Sequence, residues 1–255
     1  MSGDREHLIT QAFVSLANSL VEAFDVVELL GTLTTDCARL LDVASAGLLL
    51  ADRRGVLHVV AASSERTRTL ELFQLQRDQG PCLECFRDGV PVSVADLTNE
   101  TERWPQFVPA ALAAGFTSVH AIPMRLLDDV LGTLGLFGTG TGLLNEEDLS
   151  LAQALAHVAS VVIVAGDAVA DKAVVAEQLQ RALQGRVVVE QAKGMLAQVG
   201  DLTTEQAFVY LRRYARAHAQ RLTVVAQALL WRDISAQQVL GEPAGPIPPL
   251  SSLGQ

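Results

Sequence analysis

The stretch 145–199 contains no proline, and apolar residues recur along it at the three- and four-residue steps of a helix. Only Gly166 and Gly185 weaken this pattern before residue 194. A periodic pattern longer than about 25 residues is typical of a coiled coil or of a helical connector. We therefore expect separate domains on either side of such a connector.

An apolar stripe runs along the connector at a spacing of four residues. Residues at that spacing lie on one face of a helix. The stripe predicts a two-stranded packing that makes a homodimer, and the alternative is a kinked helix that folds back on its own domain. Its members are Val175, Leu179, Leu183 and Val187.

Charge is divided unevenly along the chain. The whole chain has a net charge of −10. Residues 1–170 contain 10 basic and 22 acidic side chains, whereas residues 171–232 contain 9 basic and 5 acidic ones. This asymmetry predicts a small basic module, which attracts phosphates, on an acidic body, which repels them.

The residues before the connector alternate between helix and strand patterns. Strands in hairpins and long segments between strands indicate an α+β fold, in which helices cover an antiparallel sheet of five or six strands. Pro81 is expected to begin a short helix that Gly89 ends. Asp25 and Asn145 are each expected to cap the helix that follows. The other predicted elements are helices over 5–41 with a break at Phe24-Asp25, over 65–78, over 101–114 and from Asn145, and strands over 46–50, 56–63, 91–97, 116–123 and 130–138.

Five short motifs in this region occur in the order of a known family: GPC at 80–82, G-x-P at 89–91, DL at 96–97, IP at 122–123 and LGTLGLF at 131–137. Over Arg5 to Val164 the chain resembles a GAF domain. The resemblance implies a small-molecule-sensing and dimerising module over residues 1–165. It also implies that a ligand, where there is one, lies between the sheet and the connecting helices.

Cys82, Cys85, Trp104 and His120 are the candidate ligand-binding residues of this GAF-like region. The C-x-x-C pair indicates either metal or redox chemistry, or simply small buried side chains. A zinc site needs four ligands, and the sequence contains no second C-x-x-C, so no metal is expected. No catalytic motif such as G-x-S-x-G is present, so we expect no enzyme and no cofactor beyond an unknown small-molecule effector.

The residues after the connector predict a three-helix bundle over 166–235, whose first helix continues the connector. Gly200-Asp201 ends the first helix, and Thr203 with Gln206 forms a capping box for the second. A third helix is expected from Leu222. The tail 236–255 is rich in Pro, Gly and Ser and is expected to be disordered.

This bundle resembles the ANTAR domain, through EQAKG at 190–194 and through Leu183, Arg186, Val189, Leu196, Ala207, Phe208, Leu211, Arg212, Ala215, Leu222, Val225 and Ala226. The resemblance implies binding to paired hexaloop hairpins in nascent RNA, usually as a dimer, which prevents a terminator from forming. A GAF sensor ahead of an ANTAR output is an arrangement of actinobacterial antitermination regulators.

The candidate RNA contacts combine arginines, which contact phosphates as forks, with the EQAKG segment. Gly194 costs about 1 kcal/mol in a helix interior, which favours the close approach of a partner. The structural alternatives are solvated charges on helix faces and close helix packing at Gly194. The candidates are Arg186, Glu190, Lys193, Gly194, Arg212, Arg213, Arg216 and Arg221.

Two other function classes stay open from the sequence. One is a DNA-binding regulator, because three short helices with arginines also describe a helix-turn-helix. The other is a ligand-sensing dimerisation protein without nucleic-acid output. No apolar run reaches the roughly 18 residues of a membrane span, and the N-terminus lacks a signal-peptide pattern, so we expect a cytoplasmic protein with no membrane partner.

Overall fold

The computed structural model describes residues 2–18, 25–165 and 172–241, with side chains over 5–16, 25–163 and 184–241. The chain divides into two compact units, Met1–Gln184 and Gly185–Gln255. This division falls inside a helix, whereas the sequence places the boundary between residues 165 and 166. In the described part of the chain, no helix is long and apolar enough to cross a membrane.

A five-stranded antiparallel sheet forms the centre of the first unit, in the order β2-β1-β5-β4-β3. This confirms the predicted α+β fold. The central pairing places Leu49 opposite Thr133, and the next places Val119 opposite Phe137. The strands are β1 (Ser45–Ala51), β2 (Leu57–Ala62), β3 (Val92–Val94), β4 (Ser118–Leu126) and β5 (Asp129–Gly138).

The helices of this unit begin and end at residues with the expected local chemistry. The Asp25 side chain accepts from the Val27 amide at 2.9 Å, and Asn145 accepts from the Asp148 amide at 2.8 Å, so both predicted caps are confirmed. Gly89 ends its helix with φ 67°. The helices are α1 (Ser2–Asn18), α2 (Val26–Leu40), α3 (Glu65–Arg77), α4 (Pro81–Asp88), a 3-10 turn (Leu97–Glu100), α5 (Phe107–Ala113) and α6 (Glu146–Ala165).

The two faces of the sheet pack against different helices. Because successive strand residues point to opposite faces, Ile122 and Met124 of β4 join an apolar cluster with α1, α2 and α6. Val119 and Ala121 of the same strand join a second cluster with α3, α4 and α5. The first unit is therefore a three-layer arrangement with a core on each side of the sheet.

The predicted helix over 101–114 is wrong in its first half. Residues 101–106 form turns, and α5 begins only at Phe107. Pro105 explains the late start, because the residue before a proline is biased away from the helical conformation. Trp104 and Phe107 nevertheless face the core, 4% and 0% exposed.

The second unit consists of four helices rather than the predicted three within the described residues. Thr203 and Gln206 form the predicted capping box at the start of the second. The helices are α7 (Lys172–Gly200), which enters from the first unit, α8 (Thr204–Ala217), α9 (Leu222–Trp231) and α10 (Ala236–Gly241).

Helix α10 corrects the prediction of a disordered tail from residue 236. Ser235 accepts from the Gln238 amide at 3.2 Å, and Gln238 accepts from the Ser235 amide at 2.7 Å, which is a second capping box. The helix buries Val239, which is 0% exposed. The predicted disorder of residues 242–255 lies outside the described residues.

The connector is described only in part. Helix α6 ends at Ala165 and α7 begins at Lys172, so the predicted continuity across Gly166 lies outside the described residues. The side chains of three residues of the predicted stripe, Val175, Leu179 and Leu183, lie outside them as well. The fourth, Val187, is 57% exposed.

Candidate nucleic-acid interface and sensor core

A row of three charged side chains follows α7 through the EQAKG segment. Arg186 Nη2 lies 3.5 Å from Glu190 Oε1, and Lys193 Nζ lies 3.2 Å from Glu190 Oε2. Residues three and four apart share a helix face, which is why one carboxylate reaches both cations. The Arg186 and Lys193 side chains are each only 11% exposed, so their charge is largely used within the protein.

Lys193 is enclosed by α8 as well as by its own helix. The residue is 9% exposed, and its ammonium lies 5.5 Å from the centre of the Phe208 ring. An ammonium over an aromatic face is attracted by the ring quadrupole. Lys193 therefore links α7 to α8, and little of its side chain is exposed to a binding partner.

Gly194 follows Lys193 in the chain, but unlike Lys193 it is not buried. It is exposed, and a Cβ built there would meet no atom within 4 Å. Close helix packing within the second unit, one of the two explanations for this glycine, is therefore not what the described structure shows. The buried small residue of the segment is Ala192, which is 0% exposed.

The four arginines predicted on and after α8 differ in how they are held. Arg216 and Arg221 are exposed, whereas Arg212 and Arg213 are half-buried. The Arg213 guanidinium carbon lies 4.4 Å from the centre of the Tyr210 ring, and its Nε is buried without a hydrogen-bond partner. The Arg213 guanidinium therefore contacts an aromatic ring, and its Nε–H donor has no acceptor.

Two rings stack at the end of α8. Tyr214 and His218 lie 4.0 Å apart between ring centres at 20°, and His218 Nδ1 lies 3.0 Å from the Tyr214 carbonyl. Tyr214 is 8% exposed and contributes to the core, while His218 is exposed. Tyr214 therefore both stacks on His218 and packs in the core.

In the first unit, the structure divides the four candidate ligand residues between the two sides of the sheet. Cys82, Cys85 and Trp104 belong to the apolar cluster under α3, α4 and α5. His120 lies on β4 between Val119 and Ala121, so its side chain points to the other side. The four residues therefore do not form one site.

A buried polar cluster surrounds Cys82. Its thiol lies 3.5 Å from Glu71 Oε1, and its amide donates to Gln74 Oε1 at 3.1 Å. Gln74 in turn donates to Glu71 Oε2 at 2.7 Å. Glu71 and Gln74 are both 0% exposed, so this face of α3 is polar and fully buried.

Glycines of the sheet make room for the Glu71 carboxyl. A Cβ at Gly135 would lie 2.6 Å from Glu71 Oε1, and one at Gly47 would lie 2.7 Å from the same atom. Glu71 and Gln74 were not among the predicted site residues, because polar side chains of a helix are ordinarily expected at the surface. The signal was the pair of glycines inside strands, which marks a close approach.

Burial controls the ionisation of this cluster. Desolvation raises the pKa of Glu71 to about 8, and the Cys82 thiol lowers it only in part. The pKa of Cys82 is raised well above its usual value by burial and by the neighbouring Glu71, and burial raises that of Cys85 to about 12. Both thiols are therefore protonated at neutral pH, which disfavours nucleophilic or redox chemistry.

His120 lines a groove on the other side of the sheet. The groove has a volume of about 380 Å³ and lies between Asp42–Ala44 and the glycine-rich loop at 138–145. His120 Nε2 accepts from the Leu144 amide at 3.3 Å, and its Nδ1 is buried without a partner. Burial lowers the pKa of His120, opposed by the Gly142 carbonyl, so the ring is neutral and anchors the loop.

No group of three His, Cys, Asp or Glu side chains within the described ranges is arranged to hold a metal ion. The cysteines at 37, 82 and 85 are free thiols.

Family models match both parts of the chain. The model of the GAF domain matches residues 24–164, and the model of the ANTAR domain matches residues 177–230. None of the curated proteins compared with the chain matches it.

Of three similar solved structures, the first shares the fold of the first unit. The GAF domain of an Acinetobacter phosphoenolpyruvate-protein phosphotransferase is 15% identical with a TM-score of 0.51, over 68% of this chain and 99% of that one. The corresponding GAF domain from Coxiella burnetii is 14% identical with a TM-score of 0.47, over 61% and 92%. A free methionine-R-sulfoxide reductase from Neisseria meningitidis, solved with its substrate, is 14% identical with a TM-score of 0.46, over 71% and 90%.

Proposed function

Because the chain belongs to the GAF domain family and carries an ANTAR domain over residues 177–230, we propose that it is an RNA-binding regulator of transcription antitermination. The ANTAR region binds paired hairpins in nascent RNA and thereby prevents a terminator from forming. The GAF region acts as the sensor that controls this binding.

The observation that carries this proposal is the pairing of the ANTAR match with arginines that the protein does not neutralise. Arg213 and Arg221 make no ion pair with any described residue. The acidic residues up to position 170 repel phosphates, so an RNA ligand is directed to the basic region after residue 171. Arg212 and Arg216 add positive charge to α8, and Lys193 of α7 contacts Phe208 of α8.

RNA is a better ligand for this region than the DNA major groove. A recognition helix presents polar side chains to base edges. The outward side of α9 instead carries Val224 and Trp231, which are 50% and 70% exposed, with no charged residue between Leu222 and Trp231. Hairpin loops offer phosphates and unstacked bases to the arginines of α8 instead.

Signal input and assembly complete the proposal. A small-molecule effector binds the GAF region, where Cys82, Cys85 and Trp104 lie on one side of the sheet and His120 on the other. The connector joins two copies into a homodimer, so that one dimer engages two hairpins. The raised pKa values of Cys82 and Cys85 support sensing rather than catalysis. The protein acts in the cytoplasm, where nascent transcripts are.

The test is single-round transcription on a template that encodes two hexaloop hairpins followed by a terminator. Added protein is expected to raise the fraction of full-length transcript. A template with scrambled loop sequences is the control and should give no increase. Equal read-through on both templates would refute antitermination by loop recognition. So would the absence of read-through on both templates, if it is seen with effector-free protein and also with protein treated with cell extract.

A further inference from the structure

We infer that Arg213, held on the ring of Tyr210, stacks on an unpaired base of the RNA loop and so distinguishes loops from duplex. This inference rests on the proposed RNA-binding function and identifies Tyr210 as a positioning residue that the sequence did not indicate. It also separates the role of Arg213 from that of the other basic residues of the ANTAR region.

The geometry on α8 preorganises the guanidinium. Tyr210 and Arg213 are three residues apart and therefore share a helix face. The Arg213 guanidinium carbon lies 4.4 Å from the Tyr210 ring centre, which is the distance of a ring contact rather than of a mobile surface arginine. Both residues are half-buried, so the pair forms a fixed part of the surface.

The hydrogen-bonding capacity of Arg213 is largely unused. Its Nε is buried without a partner, and the structure gives it no bond to a described residue. Its terminal nitrogens are not among the buried atoms without a partner, and Arg213 as a whole is only half-buried. Lys193 differs, because Glu190 and Phe208 already hold its ammonium. Among these two cations, Arg213 is the one equipped to meet RNA.

A guanidinium that rests on an aromatic ring is a platform for a base. RNA loops present unstacked bases, and proteins stack such bases on aromatic rings and on arginine planes. A base that stacks on the Arg213 guanidinium would lie next to the contact between Arg213 and Tyr210, while the terminal nitrogens reach a phosphate. Duplex bases are already stacked, so this site favours loops.

The test compares variants of the full chain in titrations against a tandem hexaloop hairpin RNA. Arg213→Lys keeps the charge but removes the planar fork, and Tyr210→Leu removes the ring. Each is expected to weaken binding about tenfold or more, the size of one lost stacking contact. The dependence of affinity on salt should stay unchanged for Arg213→Lys, because the number of charges is the same.

Two conservative variants are the controls. Tyr210→Phe keeps the ring, and Arg232→Lys changes an exposed arginine that has no ring partner; both should bind within about twofold of the wild type. Wild-type affinity in Arg213→Lys, alongside an intact loop preference of the wild type, would overturn the inference alone. Absence of any loop preference in the wild type would overturn the proposed function and this inference with it. Circular dichroism shows whether each variant is folded. If Tyr210→Leu is unfolded, the titrations of Arg213→Lys and Arg213→Gln test the inference.

Discussion

Glu71 is the least expected residue in the core of the first unit, because its carboxyl group is buried without a cation. Glu71 is 0% exposed and its neighbours are a thiol, an amide and glycines. A charged carboxylate there would be strongly unfavourable, so the group stays protonated at neutral pH. Its proton is therefore part of the folded state.

This protonation makes stability depend on pH. The folded-state pKa of Glu71, about 8, lies above the ordinary value of 4.5, so the folded protein holds a proton that the unfolded chain releases between these values. The stabilisation is complete below pH 4.5 and is lost as the pH rises towards 8. Between pH 5 and 8, this proton release should lower the unfolding free energy of the wild type on the order of a few kcal/mol. Glu71→Gln mimics the protonated form and should not show this decrease.

Urea denaturation at several pH values measures this effect. A Trp231→Phe background leaves Trp104 as the single tryptophan, and Trp104 lies in the same apolar cluster as Cys82. Glu102→Gln, at an exposed glutamate, is the matched control and should keep the wild-type dependence. An equal pH dependence in Glu71→Gln and wild type would mean that Glu71 is charged in the folded state.

Gly194 is the second residue with a definite expectation. Since a methyl group there meets no atom within 4 Å, Gly194→Ala should raise the unfolding free energy by up to about 1 kcal/mol through helix propensity. If RNA approaches the bare backbone, the same change should weaken RNA binding. Chemical denaturation and an RNA titration test the two effects, with Gln198→Ala on the exposed side of α7 as control. Greater stability with unchanged RNA affinity would remove Gly194 from the interface.

At the scale of elements, the contact between α7 and α8 depends on Lys193. Lys193→Ala leaves Glu190 with one cation fewer and uncovers the Phe208 ring. Removing one partner of a largely buried pair costs about 1–3 kcal/mol, so we expect a loss of that size in helical stability, followed by far-ultraviolet circular dichroism during denaturation. Gln191→Ala, at an exposed position of the same helix, should change little. A loss of RNA binding without any loss of stability in Lys193→Ala would instead make the ammonium a direct contact.

Elements with strong local signals were predictable from sequence, and those fixed by tertiary context were not. The caps at Asp25 and Thr203 and the stop at Gly89 are confirmed because they depend on neighbouring residues. The α10 capping box at Ser235 carried the same kind of signal, but the Pro- and Gly-rich composition behind it obscured it. The polar face of α3 could not be predicted, because only the sheet glycines show that Glu71 has a place to be buried.

The candidate site was predictable in outline only. Family resemblance located the basic region, and the match at 177–230 confirms the ANTAR domain. The ion pairs of Glu190 with Arg186 and Lys193 follow from spacings of four and three residues. Which cations are left available was not predictable, because the contact of Lys193 with Phe208 and the burial of Arg213 Nε depend on how the helices pack. The RNA-contact roles of these residues stay predictions.

As a whole, the chain combines an acidic GAF region with a basic ANTAR region. The charge division places repulsion and attraction for phosphates on the same chain, so binding should be selective for RNA that reaches the ANTAR region alone. The proposed function therefore depends on recognition of loop bases and not on charge alone.

The most direct measurement is a titration of the full chain against three ligands of equal length: a tandem hexaloop hairpin RNA, the same RNA with scrambled loops, and a duplex DNA. We expect the hexaloop RNA to bind at least about tenfold more tightly than the other two. Its affinity should fall as salt is raised. Equal affinity for all three ligands would contradict loop recognition, and tighter binding of the duplex DNA would identify a DNA-binding regulator instead.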